Sequence, residues 1–153
     1  MPIRRNEILA PLSREHHHGL LLCWKIRAGY RKNIEVSRMQ SYATWFYRRF
    51  LLEHFDTEEK YVFSVLGNKH ELVKQALTEH RRLRRLFENI QENDKNLGLI
   101  EEKLEAHIRF EERVLFNEIQ HVALPEQLKE LTAMHSDQST MQQMDEWDDE
   151  FWK

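Results

Sequence analysis

The sequence predicts an all-α protein, an up-down-up-down four-helix bundle with a short fifth helix and an acidic, aromatic C-terminal tail. Three observations predict it. Gly (4) and Pro (3) are scarce in the 153 residues, while strong helix formers such as Leu, Glu, Lys, Arg and Gln abound. Apolar residues recur three, four and seven positions apart, which is the spacing of one helix face. The connections between the predicted helices are short, as between antiparallel neighbours in a bundle.

Capping and breaking residues set the predicted helix ends. Ser13 is a good N-cap, Glu15 falls in the first turn where the helix dipole favours an acid, and Gly67 is a C-cap signal for the second helix. Pro125 cannot continue the fourth helix but suits the first turn of a short fifth one. The predicted helices cover about residues 13–29, 37–67, 69–93, 97–122 and 125–135.

Length and composition indicate one domain, with the bundle in residues 1–135 and the tail in 136–153. The single Cys23 cannot form an internal disulfide, which fits a reducing compartment. The longest apolar runs are far too short to span a membrane, and the first residues lack the apolar stretch of a signal peptide. We therefore expect a soluble cytoplasmic protein with no membrane partner.

The acidic charge is concentrated in the tail, which holds six acids and one lysine in a chain of net charge −3. The tail also contains Trp147, Phe151 and Trp152, so it is either disordered or lays its aromatic rings against the bundle or a partner. Two exposed tryptophans would be unusual in a monomer, so a homodimer or a protein partner bound through the tail is one expectation. The arginines of RRLRR (81–85) are typical of a solvated helix face, and no nucleic acid is expected.

One pattern, H-x-x-x-E-E-[KR]-x-x-F, occurs twice, as HFDTEEKYVF (54–63) and as HIRFEERVLF (107–116). In each copy the histidine and the first glutamate are four residues apart and therefore share a helix face. The first and third helices each place one histidine on their apolar face as well. The inward polar residues predicted in this way are His16, His54, Glu58, His80, His107 and Glu111.

These six donors predict a metal centre. Burying two carboxylates without partners would cost several kcal/mol of folding free energy for each. Bound metal ions would remove this cost, because the carboxylates would then be ligands. Six donors are too many for one tetrahedral zinc ion. Four imidazoles and two carboxylates suit two octahedral first-row ions bridged by the carboxylates, and donors without thiolate favour iron, then manganese. The expected cofactor is two iron ions, with manganese or zinc as substitutes.

Each ligand also has an ordinary interpretation. A single histidine on an apolar face is usually a core or boundary residue, and one i,i+4 His/Glu pair is commonly a surface pair. The agreement of four helices favours metal. Within EHHHGLL, His16 fits the inward stripe best, His17 is the alternative ligand, and His18 is expected to face solvent.

The remaining residues of the repeated pattern receive separate predictions. Glu59 and Glu112 should point about 100° away from the ligand face, solvated or paired with Lys or Arg. Phe63 and Phe116 should be core residues next to the site, and Tyr61 should continue the inward face of the second helix. The histidines expected on the surface are His70, His121 and His135.

With these motifs in place, the chain resembles the hemerythrin-like family, the HHE cation-binding domains. The matching segments are LSREHHHGLLL, LLEHFDTEEKYVF, TEHRRLRRLF and LEAHIRFEERVLF, which follow the family's order over about residues 8–122. The resemblance implies a four-helix bundle that holds a non-haem di-iron centre, with two carboxylates bridging the irons. Carried over position by position, the implied ligands are His16, His54, Glu58, His80, His107 and Glu111.

The chain departs from the oxygen-carrying hemerythrins at two places. Those proteins have H-x-x-x-H on the third helix, where His80 is here followed by Arg84, and H-x-x-x-x-D on the fourth, where this chain has H-x-x-x-E. The set is therefore one histidine short and leaves a coordination position for water, O2, another small ligand or a further side chain, with Glu15 and His17 as the candidates. The expected function is a di-iron protein that binds or senses O2, NO or peroxide, or handles iron.

Two other functions compete with this one. A di-metal oxidase or peroxidase would resemble the ferritin-like carboxylate proteins, which use Glu-x-x-His pairs and more carboxylate ligands. A metal-free helical interaction module would use its helix faces for dimerisation. The His-first pairs of this chain favour a metal- and oxygen-binding protein over a turnover enzyme.

Overall fold

A computed structural model describes residues 9–127, 129 and 147–153. Every secondary-structure element in these ranges is helical, so the all-α prediction is confirmed for them. The α-helices are α1 (Ala10–Arg31), α2 (Val36–Phe46), α3 (Leu52–Thr57), α4 (Glu71–Glu88), α5 (Lys95–Phe110) and α6 (Phe116–Val122). Most of the predicted fifth helix lies outside the described residues.

Some of these helices join without a break into longer rods. The π-helical turn Tyr47–Leu51 links α2 to α3, and the π-helical turn Glu58–Val62 and a 3-10 turn, Phe63–Val65, follow α3. Residues 36–65 thus form one rod, which we call the second rod. The π-helical turn Glu111–Leu115 joins α5 to α6 in the same way, so residues 95–122 form the fourth rod.

The π-helical turns change which residues face the interior. Tyr61 was predicted to continue the inward face of the second rod, but it is 36% exposed, whereas its neighbour Val62 is fully buried. A π-helical turn contains more residues than an α-helical one, so the positions after Glu58 rotate around the axis. The prediction for Tyr61 was therefore wrong, because it assumed an unbroken α-helical period.

The start of α1 also differs from the prediction. The helix begins at Ala10, with Leu9 as the N-cap residue and no side-chain cap, and Pro11 lies in its first turn, a position that proline favours. Ser13 therefore lies inside the helix, and its hydroxyl donates a hydrogen bond to Oε2 of Glu112 at 3.0 Å. The prediction of Ser13 as the N-cap was wrong, and Glu15 lies beyond the first turn.

The joint between the second rod and α4 confirms the predicted C-cap. Gly67 has φ +87°, and its N–H donates to the carbonyl of Phe63 at 2.9 Å, as a left-handed C-cap glycine does. The next helix starts at Glu71 because the ring of His70 acts as its N-cap, with Nδ1 accepting from the N–H of Leu72 at 3.1 Å. His70 therefore has a structural role, while His121 is exposed as predicted.

With α1 as the first rod and α4 as the third, the four rods contact one another in a ring. α5 packs against both α1 and α4, and α2 packs against α1 and α4. The buried apolar residues form two clusters, and a polar layer separates them. On α1 the layer residue His16 lies between Leu12 of one cluster and Leu22 of the other, and on α4 His80 lies between Ala76 and Leu83. Among the described helices, none has both the length and the apolar character needed to cross a membrane.

The described end of the tail packs against α1 and α2. Phe151 is 2% exposed, and the rings of Trp147, Phe151 and Trp152 lie 5.6, 5.7 and 5.1 Å from the ring of Tyr42. Asp149 accepts two hydrogen bonds from the guanidinium of Arg38, at 2.9 and 2.6 Å. Of the expected alternatives for these residues, contact with the bundle is the one observed. His135 and the rest of the tail lie outside the described residues.

Candidate metal centre

The fold brings the six predicted ligands together at the centre of the protein. All of them are at most 4% exposed. One histidine comes from α1 and one from α4, while the second and fourth rods each supply a histidine and a glutamate. The residues in this polar layer are His16, His54, Glu58, His80, His107 and Glu111.

The layer contains two groups of four donors. His16 and His54 form the first group with both glutamates, and His80 and His107 form the second group with the same two glutamates. In each group the donor atoms lie within 4.8 Å of one another. Because Glu58 and Glu111 belong to both groups, the arrangement has the form of two adjacent metal positions that share two carboxylates.

The Nε2 atoms of the histidines point toward the shared carboxylates. Glu58 Oε1 lies 3.2 Å from Nε2 of both His54 and His80. Glu111 Oε1 lies 2.9 Å from Nε2 of His16 and 3.3 Å from Nε2 of His107. Each carboxylate therefore lies between a histidine of the first group and a histidine of the second.

The Nδ1 atoms point outward, each to a carboxylate that is not among the six predicted ligands. Nδ1 of His54 is 2.9 Å from Glu15, Nδ1 of His80 is 2.7 Å from Glu59, and Nδ1 of His107 is 2.7 Å from Glu79. Nδ1 of His16 has a longer contact, 3.4 Å, to Glu112. An ionised carboxylate can only accept, so the three short contacts place a proton on Nδ1 of His54, His80 and His107, and Nε2 is the lone-pair donor of each of these imidazoles when it is neutral. We call the four carboxylates that contact Nδ1 the outer carboxylates; they are Glu15, Glu59, Glu79 and Glu112.

The outer carboxylates correct the predictions for the second glutamate of each repeat. Glu59 is paired with an arginine as expected, since Oε2 is 2.8 Å from Arg84. However, Glu59 and Glu112 are not simply solvated, because each also contacts a histidine of the polar layer on another helix. The sequence contained a signal for the other two outer carboxylates: Glu15 and Glu79 each directly precede the single inward histidine of their helix.

The π-helical turns position the repeated Glu and Phe residues. Each turn begins at the shared glutamate, and the N–H five residues later donates to its carbonyl, from Phe63 to Glu58 and from Phe116 to Glu111. Both phenylalanines are fully buried, as predicted. The ring of Phe116 stacks on His16 with centroids 5.2 Å apart, and the ring of Phe63 lies 5.4 Å from that of His80. Each repeat thus shields a histidine that another helix supplies.

The donor atoms at the centre lack hydrogen-bond donors. Among the described residues, both carboxylate oxygens of Glu58 and of Glu111 and the Nε2 atoms of His16 and His54 have no hydrogen-bond partner. Nε2 of His80 faces Nε2 of His107 at 3.1 Å. Buried acceptors that face one another are unfavourable unless a cation or a proton lies between them. The donor set therefore fits a pair of metal ions.

The pKa values show how strongly the layer is polarised. Burial alone would lower the pKa of His54, but the charge of Glu58 and the hydrogen bond to Glu15 outweigh it and raise that pKa to about 9. Burial and the neighbouring Glu58 would raise the pKa of Glu111, but His107 and His16 outweigh them and lower it to about 2. Burial would likewise raise the pKa of Glu58, but His54, His16 and His80 outweigh it and lower that pKa. Both glutamates are therefore ionised at neutral pH and attract cations.

The two residues considered for a seventh ligand do not join the cluster. His17 is exposed, and its ring lies 5.9 Å from that of half-buried His18 rather than in the polar layer. Glu15 contacts the layer at Nδ1 of His54. Neither belongs to the two donor groups, so each group offers four protein donors.

No protein-family model matches the chain, and searches of the curated proteins and of the solved structures find no match.

Proposed function

We propose that the chain is a hemerythrin-like metalloprotein that binds two metal ions, iron in the first place, between its four helical rods. The observation that carries this proposal is the pair of four-donor groups that share Glu58 and Glu111. His16 and His54 would hold one ion, His80 and His107 the other, and the two carboxylates would serve both. Nitrogen and oxygen donors without thiolate favour iron, then manganese, over ions that prefer sulfur.

The proposed architecture is an up-down-up-down four-helix bundle. The ring of contacts among α1, α2, α4 and α5 supports it, as do the short connections, which favour antiparallel neighbours. In such a bundle, ligands from facing helices meet in the core.

The protein's own contribution is to orient the four imidazoles and to hold three of them in one tautomer. Glu15, Glu59 and Glu79 keep a proton on Nδ1 of His54, His80 and His107 and make Nε2 a stronger donor, a function that such partners serve in many metal sites. The rings of Phe63 and Phe116 cover His80 and His16 and exclude water from that side. Burial prevents the histidines and shared carboxylates from being solvated, so a cation is their favourable partner.

The proposed activity is binding of a small ligand of the O2, NO or peroxide class. Iron held by these residues would supply reversible one-electron chemistry. Each donor group has four protein atoms, fewer than the six of an octahedral ion, so a small molecule has room to bind. Binding or sensing, or iron handling, is therefore proposed ahead of turnover.

Metal content of the untagged protein from iron-supplemented cells tests the proposal. We expect about two iron ions per chain, since there are two donor groups, and a visible spectrum that changes on reduction, on re-exposure to air and on adding azide. His107→Ala should lower the stoichiometry and the melting temperature of the metal-loaded protein. The matched control is His121→Ala, which removes an exposed histidine from the same rod.

Two results would overturn the proposal. One is a protein that contains no metal and takes up none as the anaerobic apo-protein. The other is a His107→Ala variant that binds two ions as tightly as the wild type, which would place the ions elsewhere.

A further inference from the structure

Arg84 lies one helical turn after His80 on α4 and is only 23% exposed. Its Nη1 atom is 2.8 Å from Oε2 of Glu59, and the same oxygen lies 2.7 Å from Nδ1 of His80. One carboxylate oxygen therefore serves both the arginine and the ligand histidine. His80, Glu59 and Arg84 form a continuous chain from the polar layer to the surface.

Two further contacts fix the guanidinium. Its Nη2 atom donates a hydrogen bond to Oδ1 of Asp56 at 3.0 Å, three residues before Glu59 on the second rod. The guanidinium carbon also lies 5.5 Å from the centroid of the Phe55 ring, within the range of a cation–π interaction. That ring stacks on His80 with centroids 4.0 Å apart. The arginine is thus held in a fork geometry that a lysine cannot reproduce.

The other histidine of the same donor group lacks this arrangement. Glu79, the outer carboxylate of His107, accepts a hydrogen bond from the neutral amide of Gln75 at 3.0 Å. Glu59 and Glu79 are exposed to a similar degree, 27% and 31%. The two carboxylates therefore differ chiefly in their outer partner, a fixed cation for one and a neutral amide for the other.

We propose that Arg84 is a positioning residue that holds Glu59 on His80 and so sets the metal affinity of the second donor group. Without the guanidinium, water competes for a carboxylate that is more than a quarter exposed, and His80 loses its fixed orientation. The histidines of the first donor group, His16 and His54, contact other outer carboxylates, Glu112 and Glu15. The inference rests on the proposed metal-binding function and adds a difference between the two metal positions.

Zinc titration with a competing chelator measures the two affinities without redox chemistry. Arg84→Gln, which gives Glu59 the same kind of partner that Glu79 has, should weaken the binding of one of the two zinc ions, by less than the roughly 10–100-fold that loss of Glu59 itself, the direct partner of His80, should cost. Arg84→Lys should recover part of the affinity because it keeps the charge. Arg82→Gln is the matched control, an exposed arginine on the same helix, and should change neither ion.

A double-mutant cycle tests whether Arg84 acts on the metal position through Glu59. If Arg84 acts through Glu59, Arg84→Gln should add nothing to the loss already caused by Glu59→Gln. Additive losses would overturn the inference, as would an Arg84→Gln variant that binds both ions like the wild type. Equal weakening of both ions would also overturn it, because a general loss of packing would then be the cause.

A measurement on the metal-free protein separates this inference from the proposed function. Imidazole NMR should show a slowly exchanging Nδ1 proton on His80 in the wild type and in Arg82→Gln, and a faster one in Arg84→Gln. The Nδ1 proton of His107, bonded to Glu79, is the internal reference. Failure of the wild type to bind zinc would contradict the proposed function alone, whereas an unchanged His80 signal in Arg84→Gln would contradict the positioning role alone.

Discussion

Nδ1 of His107 lies 2.7 Å from Oε1 of Glu79, the residue that directly precedes His80 in α4. The same relationship joins His54 to Glu15, which directly precedes His16 in α1. Each of these helices therefore supplies one inward histidine and, one residue earlier, a carboxylate for the histidine of the following rod. The site thus consists of two matching halves, each built from a Glu-His pair and one copy of the repeated motif.

Glu79→Gln should weaken metal binding about 10–100-fold, because the amide no longer makes a charge-assisted hydrogen bond that holds the His107 tautomer. Chelator competition measures the effect. Glu71→Gln is the matched control, since that side chain lies on the same helix and is 87% exposed. Equal affinities for the Glu79 and Glu71 variants would show that the outer carboxylate does not act on the metal centre.

Gly29→Ala should lower the free energy of unfolding by about 1–3 kcal/mol, the usual cost of overpacking. A Cβ atom there would collide with Sδ of Met39 and come within 3.1 Å of Cε1 of Phe151. Gly98→Ala, in α5, meets nothing within 4 Å and should raise the free energy by about 0.5–1 kcal/mol through helix propensity. Urea unfolding measures both, and a destabilised Gly98 variant would refute the packing explanation.

Phe151→Ala should lower the free energy of unfolding by about 3 kcal/mol, the lower end of the usual cost for a buried phenylalanine. The ring is 2% exposed and packs on Tyr42. Thermal unfolding measures the loss, and Lys153→Ala, which changes a side chain 69% exposed, is the control. Matching melting curves for the two variants would mean that the tail does not stabilise the bundle.

The contact between Asp149 and Arg38 should make tail docking sensitive to acid. The hydrogen bond from Arg38 lowers the pKa of Asp149 below its ordinary value of 3.8. The contact therefore contributes to the free energy of unfolding above the pKa that Asp149 has in the unfolded chain. This contribution is lost as the pH falls through the lower pKa of Asp149 in the folded protein. Urea unfolding from pH 7 to pH 3 should show the wild type more stable than Asp149→Asn at neutral pH, by a difference that narrows as the pH falls toward 3. A difference in unfolding free energy between the two proteins that grows in acid would contradict this prediction.

Cys23 should resist alkylation in the folded protein. Burial is the main cause that raises the pKa of its thiol to about 12, so almost no thiolate exists at pH 8, and the side chain is 0% exposed. Labelling by iodoacetamide should require unfolding and should follow the urea transition measured by circular dichroism. The same protein in full denaturant controls for the reagent. Complete labelling of the native protein within minutes would show that the thiol is accessible.

The sequence by itself determined the local features of this protein. Helical periodicity and scarce Gly and Pro predicted the helices, and Gly67 predicted the end of the second rod, because capping and face periodicity depend on residues close in sequence. The same periodicity placed all six inward polar residues, from His16 to Glu111, on buried faces. Only the structure, however, showed that they form two groups sharing Glu58 and Glu111.

The tertiary structure alone decided which residues act on one another. The contacts of Glu59 with His80, of Glu15 with His54 and of Phe151 with Tyr42 join separate elements. Such contacts depend on how helices rotate and cross, which spacing along one helix does not specify. The π-helical turn Glu58–Val62 also rotates the following side chains around the helix axis. For this reason Val62 rather than Tyr61 faces the core.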